Sequence, residues 1–116
     1  MGFELYKKQR ASSDEETVSI SSVGIITFSP ALVEKHLSDL GFVELYYDQQ
    51  SKKIGVKPVK TETEYAYKLV EQGKRKAVSG SGFLNNYKII EKTNDRFKPV
   101  SDIEVKFEMG MLVFKV

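Results

Sequence analysis

The chain has 116 residues, 41% of them hydrophobic and 29% charged, which is typical of one globular domain and excludes a disordered tail or a fibre. Its 18 Lys and Arg nearly balance its 16 Asp and Glu, so the net charge of +2 produces no overall electrostatic field that would attract a nucleic acid or a membrane. Cysteine is absent and no apolar stretch approaches the roughly 20 residues of a membrane span, so disulfides and thiol chemistry are excluded and we expect a cytoplasmic protein without a membrane partner.

Residues 1–17 are polar, charged and rich in serine, and they predict an N-terminal arm that is at least partly mobile. A single globular domain is expected over residues 18–116. Apolar and polar residues alternate along Thr17 to Ser21, and the run from Ile25 to Phe28 is β-branched and aromatic. With Gly24 between them, these segments predict a short hairpin.

A helix start follows this hairpin. Ser29 can accept hydrogen bonds from the free amides of a first turn, and Pro30 at the first helical position loses no needed donor. Apolar residues at three- and four-residue spacing predict a helix from Pro30 to Leu40. Gly41 stands where a left-handed C-terminal cap would end it.

Two further alternating segments predict a second hairpin. They run from Phe42 to Asp48 and from Ile54 to Pro58, and the polar residues 49–52 connect them. Lysines alternate with apolar residues in the second segment, so we expect a lysine-bearing face that points away from the core.

Residues 61–64 predict a linker, and the segment that follows admits two structures. Alternation of Tyr65, Tyr67 and Leu69 before a turn at Gly73 favours a strand. Acidic residues before Tyr65 and the glycine after Leu69 suit a helix equally well. The order of elements in the first half favours the strand.

The rest of the chain predicts a return strand, a short helix capped by Ser79, a loop and a final hairpin. The segments are Arg75–Val78, a helix through Phe83, Leu84 and Tyr87, a loop over 88–95, an extended stretch from Phe97 to Val100, a strand through Ile103, Val105 and Phe107, and a strand from Met111 to Val116. Because the last strand is apolar apart from Lys115, it requires a partner strand on each side.

The order strand, hairpin, helix and hairpin therefore occurs twice, in residues 18–60 and 65–116. This repetition predicts a mainly β fold with two short helices (α+β), in which pseudo-twofold duplicated units form one small barrel. We expect either a monomer with a pseudo-dimeric core or a homodimer. Alternation assigns Tyr47, Tyr65, Tyr67 and Phe107 to the core and leaves Tyr46 pointing outward.

The first half resembles the swapped-hairpin DNA-binding domains of the AbrB and MraZ kind. The likeness is carried by VSISSVGIITFSPAL at 18–32, Leu37, VELYYD at 43–48 and IGVKP at 54–58. The resemblance implies that two such units build one barrel and that the protein binds DNA. In that family arginines follow the glycine and occupy the short helix, whereas this chain has Ile25, Val33 and Glu34 there.

Two groups of residues are candidates for binding. The first group would bind nucleic acid. Its cations would contact phosphates, and its outward aromatic ring would stack on a base: Lys52, Lys53, Lys57, Lys74, Arg75, Lys76 and Tyr46. An anion could instead meet the amides of Ser79, Gly80 and Ser81 at the start of the second helix, next to the cations at 74–76.

No residue pattern points to catalysis or to a metal. His36 is the only histidine and lacks ligating or catalytic partners at fixed spacing, so it is expected at the surface or boundary of the helix. Glu44 and Asp48 are expected to be solvated. We therefore expect no enzyme and no cofactor. The favoured hypothesis is a nucleic-acid-binding regulatory protein with a small AbrB-like β-barrel, and the alternative is a protein-interaction or inhibitory module without nucleic-acid binding. One dominant positive face would favour the first, and scattered charge the second.

Overall fold

The computed structural model describes residues 15–116, which form a mainly β structure with two short helical segments. The predicted arm over 1–17 lies mostly outside the described residues. The strands are β1 Thr17–Ile20, β2 Ile25–Phe28, β3 Phe42–Asp48, β4 Lys53–Val59, β5 Tyr67–Lys68, β6 Val70–Gln72, β7 Arg75–Ser79, β8 Lys92–Thr93, β9 Arg96–Phe97, β10 Val100–Glu104, β11 Lys106–Glu108 and β12 Met111–Lys115.

The first hairpin is confirmed. Strands β1 and β2 pair antiparallel, with Ser19 opposite Thr27. Gly24 has a φ of 84°, a left-handed value that glycine adopts without steric cost.

The first helical segment begins as predicted and ends early. Ser29 Oγ accepts from the amide of Leu32 at 3.4 Å, and helix α1, Pro30–Leu32, continues as a π-helical turn over Val33–Leu37. The helical segment ends at Leu37 and not at Leu40, and a side chain from another element acts as its cap by donating to the last carbonyls. Lys76 Nζ donates to the carbonyls of Leu37 at 2.7 Å and Leu40 at 3.0 Å. A lysine from β7 thus takes the role expected of Gly41, which is not left-handed.

Two antiparallel sheets contain ten of the twelve strands of the described chain. Sheet A has the order β10-β1-β2-β7-β6 and sheet B the order β11-β12-β4-β3-β5, while β8 and β9 form a separate ribbon. In sheet B, β12 lies between β11 and β4, which confirms the prediction that the apolar final strand has a neighbour on each side.

Two bent segments of chain connect the sheets. Only Leu69 separates β5 of sheet B from β6 of sheet A, and only Val105 separates β10 of sheet A from β11 of sheet B. Both residues are buried, at 6% and 5% exposure. The described residues form no closed barrel, and the small barrel expected from the repeat is replaced by two sheets joined at these bends.

The core lies between the sheets. Inward-facing side chains of both sheets and of the helices form one cluster, including Ile20, Phe28, Leu37, Val43, Ile54, Val56, Val78, Leu84 and Leu112. In β1, β2 and β12 these buried side chains alternate with more exposed ones, as expected for sheets with one buried face.

Several expectations for the second half need correction. Residues 67–68 and 70–72 form strands, which confirms the favoured strand over the helix, but Tyr65 is 75% exposed and Phe107 is 52% exposed, so neither belongs to the core. Tyr47 and Tyr67 are half-buried and pack against the core. Tyr65 lies in the turn before β5, and Phe107 lies on β11, the edge strand of sheet B.

The predicted loop over 88–95 contains the start of a hairpin. Strands β8 and β9 pair across Asn94 and Asp95, whose φ values are 53° and 63°. Two successive left-handed residues match the right-handed twist of a tight hairpin. Helix α2, Ser81–Asn86, precedes this ribbon. No helix within residues 15–116 is long and apolar enough to cross a membrane.

Candidate functional site

The outer face of sheet B carries two of the predicted lysines, each opposite an acidic residue. In the β3–β4 pairing, Glu44 lies opposite Lys57 and Asp48 opposite Lys53. Side chains of directly opposite residues project from the same side of a sheet. The hairpin therefore presents alternating charges of both signs.

Charged side chains of both signs also occur on β12 and β11, without pairs of opposite charge across the strands. Lys115 lies opposite Lys53, Glu108 opposite Met111, and Lys106 opposite Val113. Glu104 and Glu108 line a cleft of about 200 Å³ together with the lysines at 53, 106 and 115. We call this outer surface the charged face: Glu44, Asp48, Glu104 and Glu108 with Lys53, Lys57, Lys106 and Lys115.

An apolar strip crosses the centre of the charged face. Tyr46 lies opposite Gly55, which in turn lies opposite Val113. A Cβ on Gly55 would stand 3.1 Å from the sulfur of Met111, so that side chain covers the glycine. Tyr46 is 46% exposed, and the face therefore combines an accessible ring with a balanced set of charges.

Glu44 is fixed by two hydroxyl groups. Its Oε2 accepts from Thr63 Oγ1 at 2.7 Å, and its Oε1 accepts from Tyr46 Oη at 3.0 Å. The bond from Thr63, followed by that from Tyr46, lowers the pKa of Glu44, and the same contact raises the pKa of Tyr46. At neutral pH the carboxylate is thus ionised and held in place.

The predicted cations do not form one surface. Lys52 and Lys53 lie at the turn of the β3–β4 hairpin, where Tyr47 packs 6.4 Å from the ring of Phe83 in helix α2. Strand β5 pairs with the other end of β3, and β6 continues from it in sheet A to the turn that holds Lys74, which Arg75 follows. The exposed cations are thus divided between a turn of sheet B and a turn of sheet A.

Lys76 belongs to neither group. Its side chain is 7% exposed, and its Nζ donates to three carbonyls at the end of the first helix. Because those carbonyls occupy the ammonium group, Lys76 offers nothing to a phosphate from outside.

The predicted anion loop is also engaged within the protein. The amide of Gly80 donates to the carbonyl of Gly24 at 2.9 Å, and helix α2 starts at Ser81 without a capping side chain. A Cβ on Gly80 would lie 2.8 Å from Ile26, so this side of Gly80 is closely packed. Arg75 and Ser79 occupy opposite ends of β7, about 13 Å apart at the rise of a strand. Anion binding by these amides stays a prediction.

The β8–β9 ribbon carries cations that the loop prediction did not single out. Lys88, Lys92, Arg96 and Lys98 are exposed, and Lys92 Nζ lies 5.2 Å from the ring centre of Phe97. The sequence signal for this ribbon was the adjacent pair Asn94 and Asp95, because both residue types favour the left-handed conformation of tight hairpin turns.

A second cleft lies where β3 meets the turn before β5. It has a volume of about 500 Å³ and is lined by Glu44, Tyr46, Glu64, Tyr65 and Tyr67. We call it the tyrosine cleft. It borders the charged face, because Glu44 and Tyr46 belong to both.

His36 lies at a junction of three elements. Its ring stacks on Phe107 with centroids 4.4 Å apart, and its Nε2 lies 3.2 Å from Oε1 of Glu16. Glu16 also pairs with Lys35 at 3.2 Å. Burial opposes ionisation of Glu16, but hydrogen bonds from Lys35 and His36 outweigh it and lower the pKa of Glu16.

Within residues 15–116 no group of three or more histidine, aspartate and glutamate side chains is placed to hold a metal ion. Comparison of the chain with protein-family models, with curated proteins and with solved structures gave no match.

Proposed function

We propose that this protein is a protein-interaction module and that it binds its partner through the charged face. The proposal rests on one observation. Lys53 and Lys57 lie directly across the strands from carboxylate residues, on both sides of the exposed ring of Tyr46. A partner protein can match alternating charges with its own, which fixes orientation and register.

Charge balance argues for a protein and against a polyanion at this face. A phosphate backbone is bound by cations that replace its counterions, and neighbouring carboxylates oppose that exchange. Protein interfaces combine an aromatic or apolar centre with a polar rim. Tyr46, Met111 and Val113 provide such a centre here, with charged side chains on both sides.

The test compares charge reversals of two exposed lysines. A partner is first isolated on the full chain from nuclease-treated extract, and its affinity is then measured for Lys57→Glu and Lys74→Glu. We expect at least tenfold weaker binding for the first variant, which places like charges beside Glu44, and unchanged binding for the second, which lies outside the charged face. Equal affinities for both variants, or release of the partner by nuclease, would contradict the proposal.

We also propose that the fold is a duplicated unit of the AbrB and MraZ kind. The strand orders support this, because β1-β2 meets β7-β6 in sheet A and β3-β4 meets β12-β11 in sheet B. The second strand of each hairpin is central in both sheets. An experimental structure tests the idea by superposition of residues 18–60 on 65–116, and a rotation far from 180° would contradict it.

The β8–β9 ribbon favours nucleic-acid binding as a second candidate. A two-stranded ribbon fits the major groove of DNA, and this one carries Lys92 and Arg96, with Lys88 and Lys98 exposed on the chain on either side of it. Lys92 lies opposite Phe97 and Arg96 opposite Thr93, so these two cations project from opposite faces of the ribbon. The exposed cations at 52, 53, 57, 74 and 75 lie on other elements, in the β3–β4 and β6–β7 hairpins.

Salt dependence tests the second candidate. If the ribbon binds duplex DNA, the logarithm of affinity falls linearly with the logarithm of salt concentration. Replacing Lys92 and Arg96 with glutamine should then reduce the slope by about 1 for each phosphate that is no longer neutralised. Replacing Lys52 and Lys53 serves as the control. Absence of binding at low salt would exclude this candidate.

A further inference from the structure

The tyrosine cleft has accessible aromatic surface. Tyr65 is 75% exposed and Tyr46 is 46% exposed, and Tyr67 is half-buried at its base. Exposed rings of this kind are costly to leave in water and are enriched at binding sites.

The rings of Tyr46 and Tyr65 lie outside the aromatic contacts of the described residues, which join Tyr47, Phe83 and Tyr87 to one another and His36 to Phe107. Both rings are exposed, whereas Tyr67 packs against the core. The exposed surface of Tyr46 and Tyr65 is accessible to a cation, which is attracted by the negative face of an aromatic ring.

The carboxylates of the cleft lie outside the ion pairs of the described residues. Within residues 15–116 no lysine or arginine nitrogen lies within 4.0 Å of a carboxylate oxygen of Glu44 or Glu64. Lys57 lies opposite Glu44 on the neighbouring strand and attracts its carboxylate electrostatically, without an ion pair at contact distance. Each oxygen of Glu44 accepts one hydroxyl hydrogen, and because a carboxylate offers about four acceptor sites, both oxygens can accept another.

We propose that the tyrosine cleft binds an arginine side chain of the protein partner. A planar guanidinium group stacks on a tyrosine ring while its N–H groups donate to a carboxylate in a forked arrangement. Tyr65 and Glu44 provide these two features in one open cleft, and continuity with the charged face lets the arginine enter as part of a larger interface. That the arginine comes from a protein partner rests on the proposed function.

A peptide pair tests the site without the partner. Amide chemical shifts of the full chain are recorded with acetyl-Gly-Arg-Gly-Arg-Gly-amide and with the same peptide carrying citrulline, which has nearly the same shape and no charge. We expect shifts at residues 44–46 and 63–67 with the arginine peptide and none with the citrulline peptide. Equal shifts with both peptides, or shifts confined to other regions, would overturn the proposal.

Variants separate the roles of charge and ring. We expect Glu44→Gln to weaken peptide binding about tenfold through loss of a charge-assisted hydrogen bond. Tyr65→Leu should weaken it severalfold, and Tyr65→Phe should bind like the original protein. Glu71→Gln, an exposed carboxylate on β6, is the matched control. Unchanged urea midpoints for all four variants ensure that folding is not being measured, and equal affinities for Glu44→Gln and Glu71→Gln would overturn the site.

Competition with small cations completes the experiment. Tetramethylammonium has the positive charge of a guanidinium group but cannot donate forked hydrogen bonds, so we expect its chloride to compete only weakly with the arginine peptide. Competition as strong as that of guanidinium chloride would overturn the assignment to arginine. The two proposals can fail separately. The peptide measurements test arginine binding in the tyrosine cleft without a partner, whereas Lys57→Glu tests partner binding at the charged face and leaves the cleft tyrosines in place.

Discussion

At the scale of single residues, Lys76 holds the end of the first helix from a neighbouring strand. Its ammonium group lies among the carbonyls of Leu37, Ser38 and Leu40, at 2.7 to 3.5 Å. The last carbonyls of a helix lack intrahelical partners, and leaving them buried and unpaired is costly. A lysine side chain is long enough to reach them while its strand remains in sheet A.

Replacement of Lys76 by methionine should therefore destabilise the protein. We expect the free energy of unfolding to fall by about 2 kcal/mol, because methionine fills the space but leaves buried carbonyls without a donor. Urea unfolding measures the effect. The control is Lys74→Met, at an exposed turn position, and an equal loss in both variants would show that the carbonyl contacts contribute nothing.

Gly24 is constrained both by its own conformation and by its neighbour. Its φ is 84°, and a Cβ there would lie 2.7 Å from the Cα of Ser81. The tight turn of the first hairpin thus lies directly against the start of helix α2. Only a residue without a side chain satisfies both conditions.

Substitution of alanine tests this contact. Gly24→Ala should lower the free energy of unfolding by at least about 2 kcal/mol, from left-handed strain and displacement of helix α2. Gly82→Ala, where nothing lies within 4 Å of the added Cβ, should instead stabilise the helix by roughly 0.5–1 kcal/mol. Thermal or urea unfolding compares the two, and similar losses would contradict the predicted contact.

At the scale of elements, Glu16 connects the start of sheet A with the first helical segment. Its side chain contacts Lys35 and His36, and its carbonyl accepts from the amide of Val105 at 3.0 Å. His36 in turn stacks on Phe107 of β11. A half-buried histidine thus organises a junction, at the boundary position that the sequence left open beside a surface one.

The ionisation of Glu16 makes this junction dependent on pH. Because its pKa is lowered in the folded state, its stabilising contribution is fully present above its ordinary value of 4.5 and is lost as the pH falls through the lowered value. Glu16→Gln should therefore be less stable than the original protein at pH 7, and the difference should shrink below about pH 4.5. Urea unfolding across this range measures it, with Glu71→Gln as an exposed control. A difference that is constant with pH would contradict the role of the charge.

At the scale of the whole molecule, two bent segments make the sheets interdependent. Leu69 lies between strands of different sheets, and its amide donates to the carbonyl of Gly41 at 2.8 Å. Val105 occupies the corresponding position in the other bend. Since each bend belongs to both sheets, neither sheet can separate without breaking the cluster that fills the space between them.

Leu69 and its neighbour Val70 provide a matched pair of tests. Leu69→Ala should cost about 2–5 kcal/mol and leave a single transition, with sheet A and sheet B losing protection together. Val70→Ala, at 55% exposure, should change stability by less than about 0.5 kcal/mol. Urea unfolding and amide hydrogen exchange measure both effects. Loss of protection in one sheet alone would contradict the coupling.

Local sequence signals predicted most elements because their causes are local. The cap at Ser29, the turns at Gly24 and Gly73, and the alternation in β3 and β4 depend on residues close in the chain, and the structure bears out each of them. The error at Gly41 has a different origin. Its expected cap was replaced by Lys76, which is distant in sequence and could not be identified by spacing.

The sequence by itself determined a mainly β fold with two short helices, since alternation and turn residues act over a few positions. Only the tertiary structure decided which faces the charged residues share. Strand register placed Lys57 beside Glu44, the turn before β5 left Tyr65 exposed, and contacts with helix carbonyls turned Lys76 inward. These outcomes depend on pairings between distant segments, whose geometry no local pattern encodes, so the candidate binding surfaces emerged only from the fold.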